Sequence, residues 1–448
     1  MIGELAQIRS WGDAKSAVRE VWKADSLRGR FARGAVWSLI GAVISQGSTL
    51  AASVVTARLL GREQFGEFGM IQSTVGMLGI FAGLGLGVTS TKYVAEYRNR
   101  DPERAGRIIA LGSAVAAGSG GLLALGLLAF APWLAEKTLN APALAYELRI
   151  AAALLFFNAF NGAQSGALSG FEAFREIARI NLIRGLATFP VTAGSVFLWG
   201  LPGAVWALSA TAAATCLLSQ LSLRQHCAAQ GIRPQFSSAW RERRVLWTFS
   251  APAFLSGALV GPVTWVSTAM LVNQSGGYAE MGVFSAANQW RGAIAFIPGV
   301  LSQFALPLLS NLNGEGDVSR YGRTLRWNLI LTAVAASGIA VPVMLGAPMI
   351  MRLYGANFQQ GWLVLVVSAA TAVITCVNGV VGTSILSGGS VWTGLGFNAM
   401  WAVVLLASSY YLVPTNLAFG LAAAMLLAYM AHTVWQTIYL RRRLGQIM

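Results

Sequence analysis

Apolar stretches recur along this chain from about residue 34 to residue 440 with only short polar gaps between them. A single aqueous core cannot absorb that much hydrocarbon, so the solvent for most of the chain is lipid. Crossing a hydrocarbon layer about 30 Å thick takes about 20 apolar residues. The pattern predicts twelve spans, at 34–58, 66–91, 107–131, 149–170, 178–199, 202–223, 247–272, 281–308, 326–351, 361–386, 391–413 and 416–440. Composition agrees: 11% of the 448 residues are charged, against roughly a quarter in soluble domains. The 50 glycines suit helices that approach closely through small residues, with Gly257 and Gly261 as candidates. An outer-membrane barrel would alternate apolar and polar residues over segments of about ten, and these stretches do not.

The basic residues predict the topology. With the N-terminus inside, 26 of the 32 lysines and arginines fall on the cytoplasmic side, in the segments before residue 34, 92–107, 175–184, 224–244, 320–326 and 441–443. Arg58, Arg62, Lys137, Arg149 and Arg352 fall on the other side, and Arg291 lies within a span. That asymmetry follows the positive-inside rule and accounts for the net charge of +15 without a nucleic-acid partner. The first thirty residues lack the compact apolar core of a secretory signal. They read as a basic lead-in with Leu5, Ile8, Trp11, Val18 and Trp22 resting on the membrane. Cys216, Cys227 and Cys376 form neither a disulfide framework nor a zinc-ligand spacing.

An internal repeat divides the chain. FGEFGMIQ at 65–72 pairs with YAEMGVFS at 278–285, placing Glu67 over Glu280 and Gly69 over Gly282 at an offset of 213. Ala105-Gly106-Arg107 pairs with Tyr321-Gly322-Arg323, Ala131-Pro132 with Ala347-Pro348, Asn161-Gly162 with Asn378-Gly379, and Leu168-Ser169-Gly170 with Leu386-Ser387-Gly388. The expected organisation is a basic segment 1–33, a six-helix half 34–224, a basic linker 225–246, a second half 247–440 and a basic tail 441–448. Six is even, so the halves run in the same sense and the path for a substrate lies between them. The fold class expected is an all-α integral membrane protein: twelve transmembrane helices in two pseudo-symmetric halves around a central cavity.

Two segments, ARLLGREQFGEFG at 57–69 and GFEAFREIARINLIRG at 170–185, resemble signatures of the polysaccharide-transporter or lipid-linked-oligosaccharide flippase family of the multidrug/oligosaccharidyl-lipid/polysaccharide exporter superfamily. The twelve-span plan extends the resemblance over nearly the whole chain. It implies a bacterial inner-membrane flippase that carries undecaprenyl-pyrophosphate-linked repeat units of O-antigen, capsule or exopolysaccharide to the periplasmic leaflet. Membrane lipids, and a polymerase and glycosyltransferases of the same pathway, are the implied partners. Both termini are expected in the cytoplasm.

Arg291 is the most informative candidate residue. It follows Glu280 by eleven residues, about 16 Å along a helix at 1.5 Å per residue, near mid-membrane. A charge there costs about 2.5–3.5 kcal/mol on insertion scales, so it should face a watery cavity. Ser285, Asn288, Gly299 and Ser302 share its face. A guanidinium grips phosphate oxygens through paired hydrogen bonds, which fits the pyrophosphate that the resemblance implies. Further polar faces carry Ser38, Ser45, Thr49, Ser53 and Thr56 with Gln46 nearby, then Asn158, Asn161, Ser165 and Ser169, and finally Ser368, Thr371, Thr375 and Asn378. Each could hold sugar hydroxyls or a neighbouring helix. Arg58 and Arg149 suit snorkelling near outer ends, and Arg184 suits entry into the cavity from the cytoplasmic side. Pro252, Pro262 and Pro298 are expected to interrupt the seventh and eighth spans.

All 17 acidic residues lie in gaps, in the lead-in or near span ends, so no deep carboxylate offers an ion relay. His432 reads as a packing or interfacial residue. Gly83-Leu-Gly-Leu-Gly87 follows no strand and gives no support for ATP use, and no cofactor is expected. A multidrug exporter of the same superfamily would want acidic cavity residues. A membrane glycosyltransferase or polymerase would want a sizeable catalytic loop. The chain displays neither.

Overall fold

The computed structural model describes residues 27–315, 318–387 and 391–445, which form long helices joined by short turns. Along the chain these are α1 (Leu27–Gly83), α2 (Leu86–Tyr97), α3 (Pro102–Trp133), α4 (Ala145–Gly170), α5 (Phe174–Ala229) and α6 (Ala251–Gly257). They continue as α7 (Val260–Val272), α8 (Gly277–Glu315), α9 (Val318–Leu345), α10 (Ala347–Tyr354), α11 (Trp362–Ser387) and α12 (Val391–Gly445). No strand occurs among the described residues. Eight helical stretches are long and apolar enough to cross a membrane. The membrane-resting residues expected in the lead-in, Leu5 to Trp22, lie outside the described residues, as do the side chains of Ser38, Pro252 and Ser302.

Three of the longest helices contain a sharp break. Gly61 (φ 77°, ψ 178°) splits α1, Gly200 (φ 60°, ψ −136°) splits α5 and Leu417 (φ 49°, ψ −124°) splits α12. The first two fall in gaps between expected spans, and Leu417 lies one residue inside an expected boundary. Pro202 and Pro414 flank the second and third breaks, and proline removes a helical donor where the turn forms. At Leu417 a left-handed backbone on a branched side chain costs about 1–3 kcal/mol. The tightness of the hairpin explains why it is tolerated. A Cβ on Gly420 would stand 2.1 Å from the Leu412 carbonyl oxygen, and one on Gly203 would stand 2.0 Å from that of Ser195. Both the breaks and the glycines are 217 residues apart, so the sequence repeat has a counterpart in backbone conformation.

The proline expectations divide. The chain around Pro252 and Pro262 is interrupted between α6 and α7, whereas α8 runs on through Pro298. Gly261 does sit in a close approach, where a Cβ would meet Ile80 at 2.3 Å, but Gly257 faces open space.

α1, α3, α4 and α5 pack together, as do α8, α9, α11 and α12, while α7 packs on α12 and α1, and α1 packs on α8. A core of buried residues runs through both groups, from Ala57 to Ala428. Leu122, Leu125, Phe130, Phe197, Leu345 and Val403 are exposed, as expected of surfaces bathed in acyl chains. The segment after α5 docks on α3 through buried Ile232 and Ala239. There Glu242 accepts hydrogen bonds from Arg104 at 3.1 Å and Arg107 at 3.2 Å, and Arg104 also stacks over Tyr97. A segment notable in sequence for its arginines is thus held in part by its one acid at 242.

Candidate functional site

Two adjoining cavities of about 610 and 600 Å³ open where α1 meets the helices on either side. The first is lined by Ser73, Thr268, Ser285, Asn288, Gln289, Arg291, Thr375 and Tyr429 among others. The second is lined by Thr49, Asn158, Asn161, Arg184, Thr188, Thr211 and Thr215 among others. Gln72, Gly76 and Ile80 on the second limb of α1 line both. Among the described residues no Asp or Glu lines either cavity, and each has one arginine with otherwise neutral polar groups.

In the first cavity the Arg291 guanidinium donates to Asn288 Oδ1 at 3.2 Å and to Met425 Sδ at 3.3 Å, and lies 5.9 Å from the Tyr429 ring centroid. None of these partners carries a counter-charge. Arg291, expected from the sequence to face a cavity, lines one, and Asn288 and Ser285 share the wall with it. Arg184, an exposed residue, lines the second cavity. Asn161 is half-turned toward the protein, its Oδ1 accepting from Ser219 Oγ at 2.9 Å.

Of the other sequence candidates, Thr49 and Asn158 line the second cavity and Thr375 the first, whereas Asn378, Arg58, Arg149 and Gln46 line neither. Asn378 is buried between helices, donating to the Tyr429 carbonyl at 3.2 Å and accepting from Thr433 Oγ1 at 2.9 Å. Its repeat partner Asn161 makes the equivalent hydroxyl contact with Ser219. The two asparagines therefore share a packing bond, and only Asn161 also reaches a cavity. Arg58 donates to the Leu353 carbonyl at the end of α10, a backbone cap across the seam. Arg149 is exposed away from both cavities, and Gln46 is half-buried outside their walls. Ser45, on the same helix, donates to the Asn181 carbonyl at 3.0 Å, so that part of the face is consumed by packing.

Sequence reasoning missed a tightly packed seam between α1 and α8, the Arg62 seal, about one turn from Gly69 of the first cavity. Arg62 forms an ion pair with Glu280 and donates to the carbonyls of Ala279 at 2.9 Å and Asn357 at 3.4 Å. Beside it Gly66 and Gly282 bring two helix backbones into contact. A Cβ on Gly66 would stand 1.8 Å from the Tyr278 carbonyl oxygen, and one on Gly282 would stand 2.1 Å from that of Arg62. Phe65, Tyr354 and Phe358 close the seam with ring centroids 5.9–6.2 Å apart. Asn273 and Tyr278 add bonds to the carbonyls of Thr138 and Leu139. The signal for this seam was present as the paired repeat segments 65–72 and 278–285, which meet each other in space.

A family model described as polysaccharide biosynthesis protein matches residues 31–313. The chain belongs to that family. Among its relatives, the EPS I polysaccharide export inner membrane protein EpsE of Ralstonia nicotianae is 25% identical over 434 residues, covering 94% of this chain and 96% of the relative. The lipid III flippase of Escherichia coli is 22% identical over 314 residues, covering 69% of this chain and 74% of the relative. Among solved structures, the inward-facing form of a multidrug resistance MATE family transporter of the MOP superfamily superposes with a TM-score of 0.73 at 16% identity. It covers 92% of this chain and 98% of that one, and at that identity the match speaks for the fold.

Proposed function

We propose that this polysaccharide biosynthesis family member is a transporter rather than an enzyme. In this reading it flips undecaprenyl-pyrophosphate-linked oligosaccharide units from the cytoplasmic to the periplasmic leaflet of the bacterial inner membrane. The single observation that carries the reading is the pair of arginine-bearing, carboxylate-free cavities in the interior of an apolar bundle. A cation exporter would need acidic walls, whereas an anionic head group with attached sugars matches guanidinium, amides and hydroxyls. Export of polysaccharide by one relative and flipping of a lipid by another support the same substrate class.

The twelve-span count, with the breaks at 61, 200 and 417 taken as helix ends, gives two six-helix halves with both termini cytoplasmic. In this frame the Arg62 end is periplasmic and the Glu242 end cytoplasmic. Domain limits follow the sequence expectation, 34–224 and 247–440 with the linker 225–246 between. Arg291 grips phosphate, Arg184 and Asn161 stand in the second cavity, and the isoprenoid tail stays in lipid. Rocking of the halves exchanges the Arg62 seal for an opening on that side. An inside-negative potential favours outward movement of each negative charge by about 2.3 kcal/mol per 100 mV, so voltage alone can drive the step.

The test is leaflet redistribution of undecaprenyl-pyrophosphate-linked sugar in proteoliposomes of purified protein under an imposed potential. Redistribution faster than in protein-free vesicles, and slowed by collapsing the potential, is expected. Protein-free rates throughout would refute flipping, and indifference to the potential would refute voltage as the driving force.

A further inference from the structure

Gln72 occupies a position that neither the repeat nor the arginines explain. Of the three described residues lining both cavities, Gly76 has no side chain and Ile80 is apolar, so among them Gln72 is the polar group that faces both. Its neighbours on α1 are engaged elsewhere. Ser73 pairs with Thr268 at 3.2 Å, and Thr74 accepts from the Trp265 indole at 2.9 Å. The Gln72 amide has no hydrogen bond to another described residue. One turn along, a Cβ on Gly76 would meet nothing within 4 Å, so the wall beside Gln72 is open space.

A primary amide offers two donors and a carbonyl acceptor in one plane, which suits adjacent hydroxyls on a sugar ring. It is a poor match for phosphate, which wants only donors. We infer that Gln72 contacts the glycan where the two cavities meet, so that a single substrate lies across both with its diphosphate at Arg291 and its sugars extending past Gln72 toward Asn158 and Asn161. This rests on the flippase reading and adds a length requirement to it: a bare diphosphate lipid fills one cavity, whereas an oligosaccharide-bearing lipid fills both.

Two ligands separate the possibilities in binding measurements on the full chain in nanodiscs. They are undecaprenyl diphosphate and the lipid-linked oligosaccharide pool extracted from the native cells. Gln72→Ala should weaken the oligosaccharide-bearing ligand about tenfold, the scale of one or two hydrogen bonds, and leave undecaprenyl diphosphate within about twofold. Gly76→Leu, which improves helix propensity while filling the open space, should give the same selective loss by obstruction. Arg291→Ala should weaken both ligands. Equal losses for the two ligands, or none, in both the Gln72 and Gly76 variants would overturn the inference while leaving the flippase reading intact. Wild-type protein that binds neither ligand would sink the flippase reading and this inference with it.

Discussion

The Arg62 seal and the cavities near it are built from similar residue types put to opposite use. At the seal both arginines are answered. Arg62 reaches one carboxylate and two carbonyls, Arg58 reaches a carbonyl, and Tyr278 and Asn273 each reach across to the α3–α4 turn. In the cavities Arg291 finds only a neutral amide, a thioether and a ring face, and Gln72 finds no hydrogen bond among the described residues. The contrast separates holding from waiting: a satisfied arginine fixes two helices in place, and an arginine in a cavity with no counter-charge among the described residues is available to an anion.

The largest effects should come from breaking the seal's apolar half. Phe65 is 1% exposed against Tyr354 and Phe358. Phe65→Ala should destabilise the protein by about 3–5 kcal/mol, visible as a lowered melting temperature in detergent. In the cavity, Arg291→Ala should reduce the initial flipping rate by more than about tenfold with little change in melting temperature, because the loss is of a ligand contact worth about 1.5–3 kcal/mol. Arg291→Lys should recover part of it, since charge is kept and the fork geometry is lost.

Asn378 and Asn161 give a sharper comparison, because the repeat equates them. Asn378→Ala removes two bonds in a buried setting and should cost about 1–3 kcal/mol of stability with ligand affinity retained. Asn161→Ala should lower affinity for the oligosaccharide-bearing ligand as well. Smallest is the Arg62–Glu280 pair. Both side chains are 23% exposed, and a partly solvated pair contributes about 1 kcal/mol or less. Glu280→Gln should therefore shift the seal toward opening by about fivefold at most, read as a broadened distance distribution between spin labels placed across the Arg62 end.

Hydropathy alone pointed to an all-helical chain that crosses the membrane repeatedly, because lipid imposes a length on every crossing; eight helical stretches meet that length among the described residues, and the breaks at Gly61 and Gly200 fall in the expected gaps. Arg291 was legible for the same reason: a mid-span charge has few tolerable places to go. Asn378 was not, since a polar face at helical spacing looks alike whether it meets a neighbouring helix or water. Gln46 and Arg149 were put forward on their faces and positions alone, and the structure sets them apart from both cavities. Arg62 was counted only as a charge on the outer side, because its carboxylate lies 218 residues away and only folding brings the repeat segments together. Gln72 closed one of those segments in plain view, yet nothing in its neighbours distinguishes a shared wall from ordinary packing.

The contrast between waiting and holding residues is tested most directly by thiol labelling. On a background with Cys216, Cys227 and Cys376 replaced, Asn288→Cys and Asn378→Cys would be exposed in vesicles to a membrane-impermeant methanethiosulfonate reagent added from the Glu242 side. Rapid modification of Asn288→Cys, slowed by undecaprenyl diphosphate, with Asn378→Cys inert under both conditions, is the expected pattern. Equal reactivity at the two positions, or an inert Asn288→Cys, would contradict the assignment of the Arg291 cavity as the place where water and substrate enter.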